Sequence, residues 1–345
     1  MSSTARAGAG ARTLHRSPRE RASHRAKIDA PTHHVSAVLR RLRQRFSTRN
    51  LLVPSRARAG LAKLAVRRVG HTFANEVVAL RNVDIDVHSG EFVCLLGPSG
   101  CGKSTLLYAL AGLVKPSGGH ISLDGRDVKG PGPDRILVFQ APALYPWLTV
   151  RQNLVFVLRA KGLDRLEAIM RAREFIARVH LEGFENALPH QLSGGMSMRV
   201  ALARALAMDP SVLLMDEPFG ALDAQTRSHM HELLQTIWMR ERKTVVFVTH
   251  DIREALVLGN RVVVMAGRPG RVLQDLEVRL PRPRDPDADA LVELSRRIRA
   301  LLAHAERVSD TPPPVVAGKE ARHEEAAPGA GYVPGGTPPP VGAGL

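Results

Sequence analysis

The sequence predicts an α/β fold, with a sheet covered on both faces, on three observations. Strand-like and helix-like stretches alternate over residues 64–280. Several strand-like stretches are continuous apolar runs, as a sheet buried on both faces requires. The 345 residues, 44% hydrophobic and 24% charged, are enough for one large domain with accessory segments and have a globular composition.

Strands are expected at residues 64–69, 83–87, 92–96, 135–139, 212–215, 245–249 and 262–265, the second with strict alternation. Helices are expected at 106–113, 167–179, 199–207 and 291–302. In 167–179 the spacing sets Ile169, Phe175, Ile176 and Val179 on one face and Arg171, Arg173, Glu174 and Arg178 on another. No strand signal falls between Phe139 and Val212, so about 141–208 reads as a helical subdomain set into the sheet domain. After Leu280 the run PRPRDPD breaks the chain. The expected organisation is a basic, mostly disordered arm at 1–62, a main domain at 63–280, a helical extension at 281–307 and a disordered Pro/Gly-rich tail at 308–345.

The net charge of +16 suggests a nucleic-acid or membrane-surface protein until its position is read. Residues 1–60 hold thirteen Arg and one Lys against Glu20 and Asp29, which is twelve of the sixteen net charges. The remainder is nearly neutral. Within the arm, Val35, Leu39, Leu42 and Phe46 interleave with Arg40, Arg41, Arg43 and Arg45. That piece is either a basic amphipathic helix lying on an anionic membrane or part of a solvated basic tail. No apolar run reaches the roughly 18 residues a spanning helix needs, and none near Met1 resembles a secretory leader, so the chain is expected in the cytoplasm. Two cysteines, Cys94 and Cys101, are too few for a disulfide framework, and 4% aromatics are too few for a stacking reader of single strands.

Gly97, Pro98, Ser99, Gly100, Cys101, Gly102, Lys103, Ser104 and Thr105 satisfy G-x-x-x-x-G-K-[ST] between an apolar strand and a helix, the context the motif needs. Glycines let successive N–H groups turn inward onto phosphate oxygens, and the helix aims its positive end at the same anion. Lys103 is placed to neutralise the β- and γ-phosphates of a nucleoside triphosphate, and Ser104 to ligate Mg²⁺.

A second apolar strand ends in Asp216 and Glu217, where open α/β sheets bind ligands. Alone this is more often a solvated strand end; with the phosphate loop in the same chain the balance reverses. Asp216 is then a carboxylate in or behind the Mg²⁺ shell, and Glu217 a base for an attacking water. His250 ends another apolar strand, placed to hold the γ-phosphate and the water, and Gln140 closes the strand bordering the insert, where its amide could reach Mg²⁺. Ser193, Gly194 and Gly195 start a helix in the insert, a second anion-seeking helix start. One chain is not expected to use both on one nucleotide; two chains head to tail can.

At this point the residues resemble the ATP-binding cassette (ABC) family, over about residues 64–280, through GPSGCGKST, Gln140, LSGGM, VLLMDEP, GALD at positions 220–223, and His250. The resemblance implies a P-loop NTPase nucleotide-binding domain with a RecA-like core, an antiparallel β subdomain and an inserted helical subdomain. It implies that Glu217 is the catalytic base, Gln140 the Q-loop residue, His250 the switch histidine, Asp223 the D-loop aspartate and Phe73 the aromatic stacked on adenine. ATP, with Mg²⁺, would lie between the phosphate loop of one subunit and LSGGM of a second copy. GPGPDR, ALYPWLTVRQNL, LSGGM and GRPGRV look like the nitrate, sulfonate and taurine import branch. Ala141, where an acid is usual, departs from the pattern.

The function expected is therefore that of an importer's ATPase subunit, peripheral on the cytoplasmic face of the inner membrane. Its partners are a separate integral membrane permease and, indirectly, a periplasmic or lipoprotein solute-binding protein. Leu144, Tyr145, Pro146, Trp147 and Leu148 either touch that permease or are core of the insert. The rival is a soluble ATPase acting on nucleic acid through the basic arm; the near-neutral domain and single cassette argue against it, and no nucleic acid is expected. A binding module with dead chemistry is disfavoured by the complete acid, base and phosphate set.

Overall fold

The computed structural model describes residues 51–54 and 61–309. The basic amphipathic stretch around Val35 and the tail beyond Ser309 lie outside the described residues. In chain order the elements are β1 (Leu52–Pro54), β2 (Leu64–Thr72), β3 (Val78–Val87), β4 (Phe92–Leu96), α1 (Lys103–Ala111), β5 (Gly118–Leu123), β6 (Arg126–Asp127) and β7 (Arg135–Val138). There follow α2 (Val150–Ala160), α3 (Arg165–Arg178), α4 (Gly194–Ala207), β8 (Val212–Asp216), α5 (Ala224–Glu241), β9 (Thr244–Thr249), α6 (Ile252–Leu258), β10 (Arg261–Ala266), β11 (Arg271–Val278) and α7 (Asp289–Ser309).

A seven-stranded sheet runs in the order β1-β11-β10-β4-β9-β8-β7, and a four-stranded sheet in the order β3-β2-β5-β6. From β10 to β7 the large sheet is parallel, while β11 and β1 are antiparallel additions at one edge. The small sheet is antiparallel throughout. The continuous apolar runs have a direct cause. In β4, Phe92, Cys94 and Leu96 enter one core and Val93 and Leu95 the other; β8 and β9 alternate in the same way, with Leu213 and Phe247 on the first side and Leu214 and Val246 on the second. Both faces are covered, so the interior positions of these strands are apolar, and the polar residues Asp216, Thr244 and Thr249 stand at their ends.

Helices α2, α3 and α4 lie between β7 and β8 and pack on one another, as the missing strand signal implied. The packed face of α3 differs from the expected one. Ala168, Ala172 and Ile176 are buried, with Val179 just beyond, whereas Ile169 is 37% exposed. Alanines let α3 approach its neighbours closely, and a periodicity count that weights only large side chains misses that stripe. A further correction concerns the arm: Leu52–Pro54 pair with β11, and Leu51 and Leu52 are buried in the main core. Three apolar residues, Leu51, Leu52 and Val53, closed by Pro54 and flanked by polar chain, carry too little pattern to announce an edge strand.

The extension after β11 is clipped onto α6. Arg284 donates to the carbonyls of Leu256, at 2.6 Å, and Gly259, and Arg282 to those of Val257 and Leu258. These are the unpaired carbonyls at the helix's C-terminal end, where a cation is favoured. Burial lowers the Arg284 guanidinium to about 9, with repulsion from Arg282 second. Leu291, Leu294 and Ile298 then bury one stripe of α7 against the core.

Candidate nucleotide site

The loop from Gly97 to Gly102 leaves the buried end of β4 and enters α1. Gly100 and Gly102 have φ of +80° and +88°, conformations that a Cβ strains. A Cβ on Gly97 would lie 2.3 Å from the Met265 carbonyl oxygen, so the loop is pressed against the end of β10. Gly102 supplies no side-chain cap to α1, which keeps the first-turn N–H groups available to an anion. Burial pushes the Cys101 thiol up, so Cys101 is a packed thiol within the loop.

Lys103 is buried, and its Nζ donates to the Gly97 and Pro98 carbonyls at 2.9 and 3.0 Å. The same nitrogen stands 3.7 Å from Glu217 Oε1. Ser104 Oγ donates to Asp216 Oδ1 at 2.9 Å. Two hard oxygen donors thus sit side by side at the head of α1 and the end of β8. That fits Mg²⁺, which takes one or two protein oxygens and completes its shell with phosphate and water. Among the described residues no cluster of three His, Cys, Asp or Glu offers a metal cage of its own.

Glu217 follows β8 with φ of +41°, its N–H donating to Val248 O at 3.1 Å. Its Oε2 meets His250 Nδ1 at 2.9 Å, so the two strand ends present a carboxylate and an imidazole as a pair. His250 is 56% exposed, free to meet a ligand on its other side. Gln140 is exposed beyond β7, and its Nε2 lies 3.6 Å from where a Cβ of Gly220 would stand. Asp223 caps α5 by accepting from the Thr226 N–H at 2.9 Å, and hydrogen bonds from Thr226 hold its carboxyl below the usual range.

Ser193 caps α4 by accepting from the Met196 N–H at 3.2 Å. Gly194 is exposed, with Leu222 Cδ2 3.6 Å from its would-be Cβ, and Gly195 is buried against Thr226. The structure therefore joins the phosphate loop to Asp216, Glu217 and His250. It sets Ser193, Gly194 and Gly195 against the segment carrying Asp223 instead. Phe73, 43% exposed at the end of the small sheet, is held edge-on by His71 with ring centres 4.7 Å apart.

Two residues were missed from sequence. Tyr108 on α1 has its hydroxyl raised to about 12, by burial first and by a hydrogen bond to Asp216 second, and its ring lies 6.3 Å from Phe139, next to Gln140. A tyrosine inside an apolar helix gives no signal. Arg268 donates to the Ser99 carbonyl at 3.2 Å. Its segment, GRPGRV, was legible as a motif but not as a neighbour of the loop.

Residues 80–220 match the family model described as ABC transporter. The nitrate import ATP-binding protein of Synechocystis is 47% identical over 220 residues, 64% of this chain and 83% of that protein. The chain belongs to the ABC transporter ATP-binding subunits. An aliphatic sulfonates import ATP-binding protein of this family from Bacillus cereus is 42% identical over 238 residues, 68% of this chain and 94% of its own length. A dimeric ATP-binding cassette solved in a post-hydrolysis state with ADP and Pi superposes with a TM-score of 0.57 at 35% identity, covering 63% of this chain and all of that one. The P-loop NTPase cassette expected from the motifs is thus the fold observed.

One further feature of this cassette flanks Gln140. A groove of about 290 Å³ is lined by Phe139, Tyr145, Phe156, Ala201 and Arg204 among others. Trp147 beside it is 72% exposed, so it is not core of the insert. Buried Asn153 holds the approach to it, its side chain bonding both the N–H and the carbonyl of Tyr145 and the carbonyl of Leu148. Among the described residues no helix is long and apolar enough to cross a membrane.

Proposed function

We propose that this chain hydrolyses MgATP in a pair of copies and so drives import of a small oxyanion such as nitrate, a sulfonate or taurine through a separate membrane permease. The observation that carries the chemistry is the Glu217–His250 pair, 2.9 Å apart, next to buried Lys103 and the Ser104–Asp216 oxygens. The relatives named for nitrate and aliphatic sulfonates support the solute class.

Entering phosphate exchanges Lys103's bonds to the Gly97 and Pro98 carbonyls for bonds to phosphate oxygens, and draws the ammonium from Glu217. Ser104 and Asp216, with Gln140 beyond β7, would hold Mg²⁺, which neutralises charge developing on the β- and γ-oxygens. Glu217 takes a proton from the attacking water as the water oxygen bonds to the γ-phosphorus. The bond from that phosphorus to the bridging oxygen breaks, and the electron pair leaves with ADP. His250 orients the Glu217 carboxylate and the γ-phosphate.

Ser193, Gly194 and Gly195 stand by Leu222 and Thr226, with Gly194 exposed, so in this reading their open helix start serves the nucleotide of a second copy, with Asp223 linking the two sites. The dimeric relative supports that pairing. Phe73 would stack on adenine. In this reading the groove beside Trp147 accepts an apolar segment of the permease, the chain works on the cytoplasmic face of the inner membrane, and a solute-binding protein acts only through that permease. The test is Glu217→Gln, with phosphate release and ATP binding measured together. Turnover below about one hundredth of wild type with ATP still bound is expected. Undiminished steady-state hydrolysis would remove Glu217 from the base role.

A further inference from the structure

We propose that Arg268 is a positioning residue of the phosphate loop, holding the Ser99–Gly100 peptide so that the Gly100 N–H faces the nucleotide. This deepens the reading of residues 97–105 as the phosphate site and rests on it. Arg268 stands in the turn between β10 and β11, 169 residues from the carbonyl it binds. One terminal guanidinium nitrogen donates to Ser99 O at 3.2 Å. A Cβ built on Gly100 would fall 2.7 Å from that nitrogen, 3.2 Å from Cζ and 3.3 Å from Nε. The guanidinium therefore lies across the space a side chain at position 100 would need.

In a trans peptide the C=O and the following N–H point to opposite sides. A donor fixed on the Ser99 carbonyl thus fixes the Gly100 N–H on the other face. Glycine at φ +80° permits the close approach of the guanidinium, but it also lets the peptide turn over at small cost. Arg268 removes that freedom. Its charge also polarises the peptide, which makes the N–H a stronger donor to phosphate.

The arginine is itself braced. Gly270 N donates to Ala79 O at 2.9 Å, and Arg81 N to Gly270 O at 3.0 Å, tying the turn to β3. A Cβ on Gly270 would lie 2.0 Å from the Cys101 carbonyl oxygen, so the turn is wedged between the small sheet and the phosphate loop. The G-x-x-x-x-G-K-[ST] pattern leaves position 100 open. Here the φ of +80° favours glycine at that position, and the Arg268 guanidinium fills the space a Cβ would enter.

The experiment measures MgATP affinity, steady-state KM and kcat, and thermal unfolding for the full chain, with R268A, R268K, G100A, R268A/G100A and K103A. R268A is expected to weaken MgATP binding and raise KM roughly tenfold, the scale of one charge-assisted hydrogen bond, with kcat and Tm little changed. R268K is expected to recover part of the affinity. G100A costs less in the R268A background than in wild type, because its methyl group no longer displaces a guanidinium. R268A binding MgATP as wild type does would overturn the proposal, as would equal G100A losses in both backgrounds or a fall in Tm and kcat with KM unchanged. K103A separates the two levels. If K103A loses MgATP while R268A keeps it, the Arg268 role alone is wrong; if K103A also keeps it, the phosphate-site reading falls too.

Discussion

At the start of α1 the phosphate loop makes its contacts within its own domain, whereas at the start of α4 the Ser193–Gly195 turn presents an open surface. Lys103 is buried under the loop, Ser104 is bonded to Asp216, and Arg268 and Met265 press on the loop from behind. Gly194, by contrast, is exposed, and its neighbour Gly195 packs on Thr226, outside the Lys103 site. Both are helix N-termini able to hold an anion. Only the first has beside it, within its own chain, the Lys103 ammonium, the Ser104–Asp216 oxygens and the Glu217 carboxylate. In the function proposed above, the second becomes useful when another molecule brings phosphate to it.

That contrast gives the largest expected effect. Lys103→Ala should weaken MgATP binding by about a hundredfold or more, since a buried charge-assisted contact to phosphate is lost. Gly194→Glu should leave binding to the isolated chain within about twofold yet stop turnover. A carboxylate in the first turn favours the helix, so the fold survives, but it repels a partner's phosphate. Equal loss of binding in both variants, measured by calorimetry, would erase the distinction. Next in size, His250→Ala should cut kcat by roughly ten- to a hundredfold with a smaller effect on KM, because His250 is bonded to the Glu217 carboxylate while the loop and Lys103 provide most of the phosphate contacts. Kinetics at saturating MgATP would show it. The smallest effect concerns the groove: Trp147→Ala should change stability by under about 0.5 kcal/mol, as an exposed side chain does, while weakening capture of the permease in a pull-down.

Local chemistry made the phosphate loop, the Asp216–Glu217 strand end and the buried strands legible in the sequence. A glycine-rich turn between an apolar strand and a helix carries its signal within nine residues, and the interiors of β4, β8 and β9 must be apolar because cores lie on both sides. Edge elements were harder. β5 opens with two glycines and three exposed positions, and β11 is largely uncovered, so neither shows an apolar run. Arg268 illustrates the deepest gap. Its role depends on a contact across 169 residues, which no local pattern records. Ile169 shows the reverse error, a large apolar residue left outside because alanines make the tighter helix contact.

The central claim, that a complete reaction centre takes the loop of one copy and the Ser193–Gly195 turn of another, is tested most directly by mixing Lys103→Ala and Gly194→Glu chains. Neither should hydrolyse ATP alone. A mixed pair contains one intact loop facing one intact turn, so the mixture should regain phosphate release, rising to a maximum near equal proportions. A mixture as inactive as its parts, or Gly194→Glu chains that hydrolyse ATP unaided, would contradict it.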